Sequence, residues 1–158
     1  MFRAMRRFKQ AISEEECIAV LKNEKRGVLS LIGDDGYPYG IVLSHYYDEE
    51  NNVIYFHGAK TGHKIDAIHQ NPKGCFTVHD EGYRENGDWP LHIKSVVCFG
   101  KISEVTDDDK AKEILRKITA KFTDDEDYTE SEIEKFFNAV LCLQFDVEHM
   151  SGKLVKES

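Results

Sequence analysis

No apolar run in this sequence approaches the roughly 20 residues that carry a helix across a bilayer. The opening MFRAMRRFKQ is basic and lacks the apolar stretch of a secretory signal. These absences predict a cytoplasmic protein with no membrane partner. Positive charge is also scarce: 21 Lys and Arg stand against 29 Asp and Glu, a formal net charge of −8. That balance argues against nucleic acid and anionic membranes as partners. Cys17, Cys75, Cys98 and Cys142 lie far apart, so no CxxC metal or redox pattern exists, and each sits in an apolar stretch that reads as a buried free thiol. Seven histidines occur without an H-E-x-x-H or comparable ligand set, so no metal site is expected. A glycine-rich first turn and regular strand–helix alternation are both missing, which argues against a doubly wound sheet. No repeat, low-complexity segment or linker interrupts the 158 residues. They read as a single domain, 1–158, with an N-terminal arm (1–12) and a C-terminal tail (150–158).

What is present is mainly β. Ser13 with Glu16 forms a capping box ahead of a helix over about 14–23. RGVLSLI, 26–32, reads as a buried strand, and an Asp-Asp-Gly turn leads to a second strand over 37–47. A third strand covers 53–57. The short acidic turns between these three predict antiparallel neighbours. A helix over 62–70 stops at Asn71-Pro72. Strands over 74–78 and 94–105 follow, the second bending at Gly100, with a long polar loop over 79–92 between them. Thr106 is expected to cap a helix over 107–121, a short helix covers 129–137, and a last strand runs over 139–149. Six strands of this kind favour a closed or nearly closed barrel with flanking helices. Tyr37, Tyr39, Tyr46, Tyr47 and Tyr55 read as core or dimer-interface residues.

The most informative segment is YFHGAKTGHKIDAI, 55–68. A strand runs into a loop carrying Lys60, His63 and Lys64, and a helix begins almost at once. Cations gathered beside free helix N–H groups, in an acidic chain, suit a phosphate. The alternative is a connector helix with an ordinary solvated face. Gly62 allows close backbone approach, and Thr61 offers a hydroxyl. Arg26 either contributes a two-pronged phosphate contact or simply opens a strand at the surface.

The order Arg26-Gly-Val-Leu-Ser, Tyr-Phe-His, Lys60…His63-Lys64, Asn71-Pro72 and Val97-Cys-Phe-Gly-Lys-Ile resembles the pyridoxamine 5′-phosphate oxidase-like FMN-binding split-barrel superfamily. Within it, DDGYPYGIVLSHYY, VIYFHGAKTGHKIDAI and NPKGCF are most similar to the nitroimidazole-resistance (Nim)-like flavin-binding branch. The resemblance spans about residues 8–153. It implies a six-stranded split β-barrel of Greek-key, FMN-binding type, and a homodimer with flavin at the interface. The FMN phosphate would be held by Arg26, Lys60, His63 and Lys64, with Thr61 as a donor. Val28, Leu29 and Ser30 would offer backbone groups along the flavin ring, and Ser44, His45 and Tyr46 would line the pocket. His57 would touch the flavin or take part in substrate chemistry, unless it ties the loop to a carbonyl as a structural histidine.

By the same resemblance the protein is an FMN-dependent oxidoreductase. It would pass electrons from NAD(P)H or another donor to a small aromatic or heteroaromatic acceptor, a nitro compound such as a nitroimidazole being the family-guided choice. FAD would use the same phosphate nest. Two alternatives stand beside this: a non-catalytic flavin or haem-like ligand carrier or sensor, and a pyridoxamine 5′-phosphate oxidase-like enzyme. The last is disfavoured because the terminal HMSGKLVKES lacks the arginine-containing segment of the true oxidases. The 79–92 loop, with Trp89 and His92, is expected to shape the mouth of the pocket.

Overall fold

A computed structural model describes residues 1–157. Six strands carry the fold: β1 (Arg26–Ile32), β2 (Pro38–Asp48), β3 (Val53–Ala59), β4 (Lys73–His79), β5 (Leu91–Glu104) and β6 (Val140–Glu157). They close in the order β1-β2-β3-β6-β5-β4, and every neighbouring pair is antiparallel. Four α-helices flank the strands among the described residues: α1 (Glu14–Asn23), α2 (His63–Gln70), α3 (Asp108–Ala120) and α4 (Glu126–Phe136).

Side-chain alternation decides which face is inside. Along β1, Gly27, Leu29 and Leu31 are buried, while Arg26, Val28 and Ile32 point outward. The interior is aromatic at its centre, where Phe56 meets Phe76 edge to face at 4.9 Å. α1 seals this core with Cys17, Val20 and Leu21, and α2 with Ile65, Ala67 and Ile68. α3 and α4 pack outside the barrel on a second cluster that includes Val53, Tyr55 and Cys142.

α1 begins with the expected capping box, Glu16 N–H donating to Ser13 Oγ at 3.2 Å and Ser13 N–H to Glu16 Oε2 at 3.0 Å. The β5–β6 ladder shifts register between Phe99 and Gly100, where the bend was expected. Several boundaries differ from the sequence reading. α3 is capped by Asp107, whose carboxylate accepts from the Lys110 N–H, and not by Thr106, because the Asp is one residue nearer the first free N–H groups. Residues 150–157, expected as a tail, continue β6, because β5 begins at Leu91 and offers them a partner from Glu157 to Met150. Part of the arm is also tied down: Ala11 bridges to Lys153, and Phe2 stacks on His149 at 4.9 Å. Cys17, Cys98 and Cys142 are buried free thiols, whereas Cys75 is half-exposed on the outer face. Tyr47 and Tyr55 are core residues, but Tyr37 is 74% exposed.

Candidate functional site

The arrangement of interest lies where the barrel opens. β2 pairs with β1 from Pro38 to Ser44, and with β3 only from His45 to Asp48. From His57 to Ala59, β3 pairs with β6 alone. The two strands therefore part beyond His45 and Phe56, and their facing edges lose their ladder partners there. The loop Lys60–Gly62 and the start of α2 follow directly from the parted end of β3.

α2 has no side-chain cap. Gly62 at its N-cap has φ 121°, a conformation that favours glycine, so the backbone enters the helix without a side chain over its first N–H groups. Lys60, Thr61 and His63 are exposed and Lys64 is half-buried. The Lys64 ammonium lies against Gly58, beside His57. Burial, and then this ammonium, hold His57 below the ordinary imidazole value, while burial lowers Lys64 itself. Among the described residues no carboxylate comes within ion-pair distance of Arg26, Lys60 or Lys64. In a chain of net charge −8, three cations without a carboxylate partner among the described residues stand out.

Around the corner on the outer sheet face, a groove of about 700 Å³ is lined by Arg26, Val28, Val42, Thr77 and residues 79–83. Register places Val28 between Val42 on β2 and Thr77 on β4, and Ser30 between Gly40 and Cys75. The 79–92 segment is more ordered than a free loop. Asp80 Oδ1 accepts from the N–H groups of Gly82 (3.1 Å) and Lys94 (2.9 Å). Tyr83 and His92 exchange backbone hydrogen bonds and stack at 4.8 Å. Trp89 at the tip is 79% exposed and lies off the groove lining.

The sequence candidates thus separate into groups. Lys60, Thr61, Lys64 and His57 gather at the parted strands. Arg26 and Val28 line the groove, with Ser44 opposite Arg26 in register and Ser30 on the same face. His63, expected at the phosphate, stacks its ring on Tyr39 at 3.9 Å with its Nε2 facing Asp34 at 3.9 Å, toward the β1–β2 turn. Leu29 points into the core, so only its backbone is available. Tyr46 lies under α3, its ring 5.2 Å from the Lys117 ammonium, and not in the groove. His45 is corrected most firmly. It is fully buried, its Nε2 donates to Leu21 O at 2.7 Å, and its ring meets Phe76 at 4.9 Å. Sequence reasoning missed Thr77, Tyr83 and the turn after α3. Phe122 there lies 4.9 Å from the Arg26 guanidinium, and Lys121 Nζ donates to Glu24 O and His45 O. No group of three or more potential metal ligands occurs among the described residues, and no helix is long and apolar enough to cross a membrane.

The sequence profile of a family described as pyridoxamine 5′-phosphate oxidase matches residues 13–154. The chain belongs to this family. No functionally curated protein matches it. Among solved structures of the same fold, a candidate 5-nitroimidazole antibiotic resistance protein of Bacteroides thetaiotaomicron aligns with TM-score 0.77 at 19% identity, over 93% of this chain and 87% of that one. An FAD-binding protein of Mesorhizobium loti aligns with TM-score 0.67 at 24% identity, over 92% and 97%. An FAD-binding protein of Mycobacterium smegmatis aligns with TM-score 0.66 at 16% identity, over 94% and 99%. At these identities the likeness establishes the fold. Family membership covers every strand of the barrel except the last residues of β6.

Proposed function

We propose that this chain is a flavin-dependent oxidoreductase of the split-barrel, Greek-key, FMN-binding type, acting on small heteroaromatic acceptors of which nitroimidazoles are the leading example. The observation that carries the reading is the set of unpaired cations at the parted strands, Lys60 and Lys64, beside the uncapped start of α2. Those groups fit a phosphate monoester. A near-dianion needs both countercharge and fixed N–H donors to offset its desolvation. Arg26 extends the positive surface to the groove, whose floor of Val28, Val42 and Thr77 suits a flat ring system. FAD fits the same nest, and the FAD-binding relatives support a flavin of either kind.

When bound, the flavin supplies the electron transfer. The protein's own residues hold its phosphate, offer the backbone of Val28, Leu29 and Ser30 along β1, and exclude water from one face. His57, kept neutral by burial and by Lys64, is able to accept or donate a hydrogen bond at the cofactor's edge. The outer face that carries Val28 (38% exposed) and Val42 (66%) is apolar and open. We assign it to a second copy of the chain, which would complete the slot as a homodimer. NAD(P)H is the proposed electron donor.

The test begins with the absorbance spectrum of the purified protein and mass identification of any released cofactor. Replacing Lys60 and Lys64 together with alanine is expected to weaken FMN binding at least tenfold, about 1.4 kcal/mol. An unchanged Kd refutes this placement of the phosphate. Turnover separates an enzyme from a carrier: an enzyme's anaerobically reduced flavin is reoxidised by nitro acceptors faster than by buffer.

A further inference from the structure

We propose that Phe122 is a positioning residue for Arg26, holding its guanidinium at the mouth of the groove ready to receive an anionic group of the cofactor. The inference rests on the flavin reading above and adds a residue to it.

Phe122 lies in the turn that follows α3, far in sequence from every other candidate. It is 40% exposed and belongs to neither hydrophobic cluster. Its ring centroid lies 4.9 Å from the Arg26 guanidinium and 5.5 Å from the Lys25 ammonium, both within cation–π range. The turn is fixed to the strands at this level. Lys121 Nζ donates to Glu24 O at 2.5 Å and to His45 O at 2.9 Å, and His45 N–H donates to Lys25 O at 3.3 Å. These carbonyls flank the register pair Arg26–Ser44. The ring is therefore held beside the first residue of β1 by bonds that do not involve Arg26 itself.

The chemistry of the partner matters. An arginine at the surface samples many rotamers unless something restrains it. A carboxylate would restrain it but would also neutralise it and occupy its N–H fork. An aromatic ring restrains the guanidinium through its face and leaves the in-plane donors and the full charge free. Arg26 has no carboxylate within ion-pair distance among the described residues, so the ring is the contact that orients it. That is the arrangement a bidentate phosphate contact requires before the anion arrives.

A double-mutant cycle tests this, with FMN as the probe and Kd read by flavin fluorescence. Phe122→Leu removes the ring and keeps an apolar side chain. It is expected to weaken FMN about three- to fivefold, the range of an exposed cation–π contact. Phe122→Trp is expected to bind as tightly as the parent. In an Arg26→Ala background, itself weaker than the parent, Phe122→Leu is expected to change nothing further. Equal effects of Phe122→Leu in both backgrounds, or no effect while Arg26→Ala weakens binding, overturn the proposal. An unchanged Kd in Arg26→Ala overturns it too, by removing Arg26 from the site. The second readout needs no flavin: the Arg26 Nε–H relaxation by NMR is expected to be restrained in the parent and Phe122→Trp, and averaged in Phe122→Leu. A protein that binds neither FMN nor FAD would sink the flavin reading, while an Arg26 signal equally mobile in all three proteins would sink the positioning role.

Discussion

Acidification below pH 6.5 should destabilise this protein through one buried imidazole. His45 is fully buried, with its Nε2–H donating to Leu21 O and its Nδ1 facing no partner. Burial first, and then the Lys121 charge, lower its pKa from 6.5 to about 4, against the Leu21 bond that raises it. Because the folded value lies below the unfolded one, the unfolded chain takes up a proton first as pH falls. The stability contribution is complete above pH 6.5, is lost across the window from 6.5 to about 4, and levels off below. A gap of this size corresponds to about 3 kcal/mol, at roughly 1.36 kcal/mol per unit. Within the window the slope approaches about one proton. The assay is urea denaturation at intervals from pH 7.5 to 4.5, on the parent and on His45→Gln. Glutamine can still donate to Leu21 O but does not titrate. Other titrating groups, His57 among them, are common to both proteins and cancel. The parent should therefore lose about 2 to 3 kcal/mol more than the variant over that range. Parallel stability curves for the two proteins would refute the reasoning.

Two further outcomes concern the scaffold. Gly100→Ala places a Cβ against the Asp146 carbonyl oxygen and 2.9 Å from the Phe145 ring, opposite the β6 bulge at Glu148 where backbone cannot yield. Calorimetry should show a loss of about 2 to 3 kcal/mol, roughly 5 to 10 °C in Tm, and a change under 1 °C would contradict it. Ser13→Ala removes one half of the α1 capping box and should cost about 1 kcal/mol by urea midpoint, an unmoved midpoint being the contrary result.

The elements that announce themselves locally were legible in the sequence. The capping box at Ser13 and the short apolar run RGVLSLI place α1 and β1 where they stand. What escaped depends on partners distant in the chain. SGKLV carries no strong strand pattern, yet 150–157 are strand because the opening of β5 lies alongside. Phe122 meets Arg26 for the same kind of reason: no local signal links the two, 96 positions apart by their numbers. His45 is a different kind of miss. Its parity on β2 matches Ile41, Leu43 and Tyr47, the inward-facing set, whereas Ser44 and Tyr46 share the opposite parity. Period-two counting was enough to place it in the core, but the family resemblance suggested a pocket. His63 lay at a parity-free position, and only the ring of Tyr39 decided its direction.

The parting of β2 from β3 also explains why cations collect there. Where a ladder is complete, backbone N–H and C=O groups satisfy one another, and the surface above them needs no charge. Where β3 leaves β2 after Phe56, the β2 edge from Pro38 to Ser44 and the β3 edge beyond His57 lose that satisfaction, and the uncapped start of α2 adds further N–H groups. Free N–H donors are a partial positive charge, so lysines beside them repel the site's own dipoles unless an anion is present. Folding alone favours Asp or Glu near such a helix start, and Asp66 in the first turn of α2 answers that preference. Lys60 and Lys64 stand there as well, without a carboxylate within ion-pair distance among the described residues. Local charge there runs against what stability asks, as the proposed phosphate site requires. The same holds at Arg26, whose neighbour is a ring that leaves its charge available.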